Sequence, residues 1–204
     1  RQLKEKKRIP DLPIYVNSPM AISATEIFRR HPKGHKISAH LLTDHSLNPL
    51  ECGNLHFVRE ASASKQLNLI DSPKIVIAGS GMAEGGRILH HLKTRLPQQK
   101  NTIIFVGFQA EGTRGRALTE GAKTVKIHGQ NIPVRARIEL ISSLSGHSDL
   151  KETLGWLGSF ERQPRRTFIV HGEKTSAENQ QKEIQSRLGW KTSIPKYGES
   201  FELT

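Results

Sequence analysis

Apolar, β-branched runs alternate along this chain with stretches in which apolar residues recur every three or four positions and charged residues face the other way. That alternation predicts an α/β fold with a largely parallel sheet. Strands are predicted over residues 14–16, 55–58, 75–78, 102–106, 124–127, 134–141, 167–170 and 192–194. Helices are predicted over 21–30, 63–70, 86–96, 150–157 and 176–188, with Asp149 or Ser148 placed to cap the fourth. Between residues 31 and 54 the pattern gives way to a stretch containing His, Pro and Gly, which reads as a surface excursion with only short structure. No repeat or low-complexity tract occurs. A division falls near residues 119–124, after which strand-like segments become more frequent.

A chain of 204 residues buries a core without staples, and its single cysteine, Cys52, forms neither an internal bridge nor a cysteine-rich zinc site. A reduced, cytoplasmic setting is the expectation. No apolar run approaches bilayer length, and the basic opening from Arg1 to Arg8 is not followed by the apolar stretch of a signal peptide, so no membrane partner is expected. The 31 basic residues outnumber the 19 acidic ones, for a net charge of +12. Such a charge favours polyanions through counterion release, nucleic acid first, although it also serves simple solubility. Aromatic residues are sparse and not interleaved with the basic ones, which points to backbone contacts with weak sequence preference rather than base stacking.

Four segments carry candidate chemistry. Residues 143–149, Ser-Leu-Ser-Gly-His-Ser-Asp, lie between a β-rich run and a helical pattern. Ser145 and Gly146 are small enough to let a phosphate approach the backbone there, and His147 is able to donate a proton or ligate a metal, or simply to be solvated. In Phe168-Ile-Val-His171-Gly172-Glu173 an apolar strand ends in a histidine. A strand end on a rigid sheet suits a neutral-imidazole zinc ligand, and equally a satisfied histidine at a sheet edge. Residues 75–87 give a buried-type strand, a glycine-rich turn containing Ser80 and Gly81, and a helix, which either cradles phosphate on backbone amides or packs strand tightly against helix. The glycine spacing fits neither a P-loop nor a dinucleotide fingerprint. Residues 105–116 again lead from a strand through small residues into a helix start bearing Arg114 and Arg116, placed to clamp a phosphate backbone or to remain surface charges.

Together, in this order and spacing, the four segments resemble the β-CASP ribonucleases of the metallo-β-lactamase fold. The opening run from Ile9 to Ala21 is similar to the family's Asp-Ser-Pro segment, with Asn17 where the aspartate usually stands. Gly79-Ser-Gly-Met82 and Gly112-Thr-Arg-Gly-Arg116 look like its two glycine-rich signatures. The resemblance implies a β-CASP domain with a parallel sheet flanked by helices over residues 1–120. Residues 121–204 would then be the C-terminal, RNA-metabolising part of a metallo-β-lactamase αββα domain. It further implies a zinc-dependent RNA-processing nuclease that hydrolyses phosphodiester bonds. His147 would serve as catalytic acid or phosphate ligand and His171 as a ligand of one of two zinc ions, with both rings converging on one cleft. Ser80, Gly81, Arg114, Arg116, Ser145 and Gly146 would hold RNA phosphate.

The family's upstream His-x-His-x-Asp-His run is absent from these 204 residues, and His40 with Asp44 and His45 has the wrong spacing to replace it. The chain is therefore expected to be a fragment that binds zinc weakly or not at all and is inactive alone, because catalytic zinc takes three or more protein ligands. An exposed sheet edge, open to cover by homodimerisation, is a further expectation. The rival readings are a non-catalytic RNA-binding or scaffolding relative and, last, a small nucleotide-binding protein built on the glycine turn at 79–86.

Overall fold

The computed structural model describes residues 2–34, 48, 50, 53–144 and 146–203. Most of the expected excursion over 31–54, with His40, Asp44, His45 and Cys52, lies outside the described residues, as do Arg1 and Ser145. The chain divides into two compact units, one of residues 1–105 with 112–140 and the other of residues 106–111 with 141–204.

The first unit begins with a short helix α1 (Gln2–Glu5), then strand β1 (Ile14–Val16) and helix α2 (Pro19–Arg30). Strand β2 (Leu55–Phe57), helix α3 (Ala61–Leu69), strand β3 (Ile75–Ile77) and helix α4 (Ile88–Arg95) follow. Strand β1 lies between β2 and β3 and runs parallel to both, with Ile14 opposite Leu55 on one side and Ile75 on the other. Because the first strand in sequence is the middle strand in space, the connections leave it toward both sides. The carboxyl ends of such strands are where open α/β sheets form their crevice. In this sheet they are Asn17, Val58 and Ala78.

Helix α2 starts two residues before its predicted onset. Ser18 caps it, its hydroxyl accepting from the Ala21 amide at 3.3 Å, and Pro19 fills the first turn, where no amide hydrogen is needed. Helix α4 starts two residues later than predicted, because Gly86 at φ 75° belongs to the preceding turn.

Strand β4 (Thr102–Val106) pairs with β7 (Arg137–Ile141), and between them lie helix α5 (Arg114–Thr119) and the antiparallel hairpin of β5 (Thr124–Ile127) and β6 (Gln130–Pro133). The sequence pattern predicts one strand over 134–141; the structure keeps only its second half, as β7, and adds β6 ahead of it. The two-residue loop at His128 and Gly129, with φ of 47° and 77°, supplies the left-handed pair that tight hairpins favour. Beyond Pro133 the amides of Arg135 and Ala136 turn to bond the Leu96 carbonyl, which separates β6 from β7. The core of this unit gathers Leu89, Leu92, Leu96, Phe105, Leu118, Val125, Ile127 and Ile132. Each such side chain contributes on the order of 2 kcal/mol by leaving water.

The second unit holds helix α6 (Leu150–Gly158), strand β8 (Thr167–Phe168), helix α7 (Lys174–Leu188) and strand β9 (Thr192–Ser193), with β8 parallel to β9. Asp149 caps α6 in a reciprocal arrangement with Glu152, as the sequence suggested. The core is Leu154, Leu157, Ile169, Ala177, Ile184 and Trp190. Parallel strands with flanking helices thus build both units, in the mixed α/β manner expected. Among the described residues no helix is long and apolar enough to cross a membrane.

Candidate functional site

In the first unit the two glycine-rich segments come together. The turn at 79–86 leaves β3 with Ser80 and Ala83 in left-handed conformations, at φ 66° and 56°. The Ser80 hydroxyl accepts from the amides of Glu84, at 3.2 Å, and Gly85, at 3.1 Å, so its oxygen organises the turn while its proton remains a donor. Gly81 has open space where a side chain would stand. At the start of the turn a Cβ on Gly79 would lie 3.0 Å from the Ser18 hydroxyl, so the strand end packs closely on the cap of α2.

Arg114 joins this turn to α5. Its guanidinium donates to the Ala83 carbonyl and, at 2.8 Å, to the Lys126 carbonyl, and its amide donates to Glu84. The Gly115 amide bonds Met82 at 2.9 Å. Thr113 caps the helix by accepting from the Arg116 amide, while the Arg116 side chain reaches Glu120 one turn along. The two arginines expected to clamp phosphate are thus half-buried and engaged within the chain, Arg114 as a brace between the 79–86 turn and β5, and Arg116 as a helix ion pair.

Sequence reasoning missed a polar cluster that Arg87, at the end of the 79–86 turn, joins. Asn17 is wholly buried, and His91 and Ser64 are 6% exposed. The Asn17 side chain accepts from Arg87 at 2.8 Å and donates to Ser64 and to the His91 Nε2, both at 2.7 Å. The other ring nitrogen of His91 meets Asn68 at 2.7 Å. Arg87 also donates to the carbonyls of Val58, at 2.8 Å, and Arg59. Burial pushes the His91 pKa down to about 4, and the nearby charges of Arg95, His90, Arg87 and Lys74 act in the same direction. The one signal in the sequence is Asn17 itself, which stands in the segment that resembles the family's Asp-Ser-Pro run.

In the second unit His147 and Gly146 are exposed in the turn before α6. His171 is exposed just past β8, and its φ of 62° turns the chain out of the strand into the start of α7. Glu173, at the head of α7, accepts from the Glu111 amide at 3.3 Å. Four of the few aromatic rings gather elsewhere in this unit, around a cavity of about 430 Å³ lined by Trp156, Phe160, Phe168 and Trp190. Among the described residues no group of three or more His, Cys, Asp or Glu side chains is placed to hold a metal ion.

Comparison with known proteins agrees with this geometry. Residues 1–118 match the Beta-Casp domain, and residues 131–195 match the Zn-dependent metallo-hydrolase RNA specificity domain. Ribonuclease TTHA0252 of Thermus thermophilus is 37% identical over 194 residues, covering 94% of this chain and 43% of that protein. The transcription termination factor FttA of Thermococcus kodakarensis is 32% identical over 195 residues, covering 91% of this chain and 29% of the factor. For the factor of the same name from Methanocaldococcus jannaschii the values are 38% over 126 residues, 58% and 20%. This chain thus spans less than half the length of these relatives. With its first 118 residues matched throughout and the glycine-rich turns of that region braced against each other, the chain belongs to the Beta-Casp family of metallo-hydrolases.

Proposed function

We propose that this chain is the RNA-holding, histidine-bearing part of a longer zinc-dependent ribonuclease that hydrolyses phosphodiester bonds. The observation that carries this reading is the likeness over 94% of the chain to a protein named a ribonuclease. Residues 1–120 would be the β-CASP region and 121–204 the returning portion of the metallo-hydrolase domain. Ser80 would donate its hydroxyl proton, and Gly81 its open backbone, to a phosphate above the turn at 79–86. Gly146, in the turn before α6, would offer its backbone in the same way, and Ser145, its neighbour in sequence, is assigned to phosphate with it. Arg114 and Arg116 would contribute positive potential beside the 79–86 turn, which Arg114 also braces.

His171 offers one imidazole, and zinc in such an enzyme would supply charge neutralisation at the reacting phosphate. The remaining metal donors must come from outside the described residues. His147, exposed at the head of α6, would hold a phosphate oxygen or deliver a proton to the leaving oxygen. Incubation of this chain with RNA and zinc is the test. No cleavage above background is expected, and robust, chelator-sensitive cleavage would overturn the assignment of the missing ligands to a region outside it.

A second reading is favoured by the archaeal relatives, which are named transcription termination factors. On that reading the longer protein acts on nascent RNA, and binding or scaffolding without cleavage would be enough. Loss of function in a longer protein whose metal ligands alone are removed would decide for the nuclease.

A further inference from the structure

Asn17 occupies the carboxyl end of the central strand, and its surroundings fix which way its amide faces. Arg87 has hydrogen-bond donors only, so the group 2.8 Å from it must be the Asn17 oxygen. The Asn17 nitrogen therefore faces Ser64 and His91, each at 2.7 Å, and its hydrogens go to the Ser64 hydroxyl oxygen and the His91 Nε2. A ring nitrogen that accepts has no proton. A neutral imidazole must then carry its proton on Nδ1, which is the atom 2.7 Å from the Asn68 oxygen. Both ring nitrogens are satisfied in this chain of contacts without a charge on the ring.

The cluster also holds the turn at 79–86. Arg87 ends that turn and begins α4, and its guanidinium is pinned to Asn17, Val58 and Arg59 at the ends of β1 and β2. His91 lies one helical turn further along α4 and is pinned by the same Asn17.

We propose that Asn17 keeps His91 a neutral Nδ1–H imidazole, and that the relay from the Arg87 guanidinium through the neutral Asn17 and His91 to Asn68 holds the 79–86 turn in position for RNA phosphate. Asn17, His91 and Arg87 are positioning residues on this view, not catalytic ones. The second half of the proposal rests on the phosphate-binding reading of that turn; the first half does not. An aspartate at 17 would reverse the relay. It would accept from Ser64 and require a proton on the His91 Nε2, so the ring would become an imidazolium in mild acid. The charged and titratable groups facing His91 are Arg87, His90 and Arg95 on its own helix and Lys74 ahead of β3, all opposing that charge. Helix α3 presents the neutral Ser64 and Asn68. The carboxylate would be the one group favouring it.

The test is ¹⁵N-histidine NMR on this chain and on Asn17→Asp, with Asn68→Asp as a second variant, joined to fluorescence anisotropy with a single-stranded RNA oligonucleotide between pH 8 and 5.5. In the parent, His91 should show the Nδ1–H pattern with no titration over that range. In Asn17→Asp it should titrate within the range and carry a proton on Nε2; in Asn68→Asp it should titrate while keeping the Nδ1 proton. An Nε2–H pattern in the parent, or titration near the free histidine value of about 6.5, overturns the relay. The ratio of Asn17→Asp to parent RNA affinity should change about fivefold across the range. If that ratio is flat while Arg114→Ala weakens binding, the positioning role fails and the phosphate-binding reading stands. If the parent does not bind RNA, that reading fails and with it the positioning role, while the NMR spectra still decide the state of His91.

Discussion

One histidine of the first unit is held in the opposite way to the two singled out in the second. In the first, His91 is buried, has a partner on each ring nitrogen and is held uncharged. In the second, His147 and His171 are exposed on turns at the two ends of the α6 and β8 region. A buried imidazole with both nitrogens bonded is stabilised where it is and has nothing left to offer a substrate. An imidazole on an exposed turn is accessible from solvent. On the proposed reading the difference separates a residue that holds the surface from residues that act on RNA.

The largest expected effect breaks the closed side of this comparison. Asn17→Ala removes partners from Arg87, Ser64 and His91 at once and leaves buried polar atoms without replacement. Unfolding in urea should show a loss of about 3 kcal/mol. A loss near that of an ordinary surface substitution would mean the cluster contributes little to the fold.

A comparable effect is expected from acid. The His91 pKa is lowered to about 4 in the folded chain, while the unfolded chain takes up the proton near 6.5. The unfolded state thus binds more protons between those values, so stability falls as pH drops from about 6.5 toward 4 and is fully present above 6.5. The contribution is about 3 kcal/mol at most. Urea midpoints measured for the parent and for His91→Asn should converge as the pH is lowered; parallel curves would show that another group governs the acid response.

The smallest effect sharpens the open side. Asp149 caps α6 two residues after His147, and Asp149→Ala should cost about 1 kcal/mol of stability. Amide hydrogen exchange should quicken in the first turn of α6 and not in α4. A cost spread over the whole chain would contradict a local cap.

Much of the arrangement was legible in the sequence, for identifiable reasons. The parallel strands at 14–16, 55–57 and 75–77 lie within or coincide with predicted segments, because short β-branched runs between amphipathic stretches have few other solutions. The glycine-rich segments announced turns, and the turns are there. What escaped was contact between distant positions. His91 sits on the buried face of a helix, where nothing in its own neighbourhood tells a bonded ring from an apolar one. Arg114 and Arg116 read as free cations because the carbonyls and carboxylates that engage them are brought up by folding. Strand β6, Gln-Asn-Ile-Pro, has a single aliphatic side chain and no alternation to announce it. His128-Gly129 is a less familiar hairpin pair than Asn-Gly, and Pro133 marks a strand end only once the hairpin is formed.

The open side rests on the roles proposed for His147 and His171. Zinc content and RNA cleavage, measured together on a longer, active protein containing this chain, test those roles most directly. His171→Ala should lose zinc and cleavage in parallel, whereas His147→Ala should keep its zinc and lose turnover. A His171→Ala protein with a full complement of zinc would contradict the account.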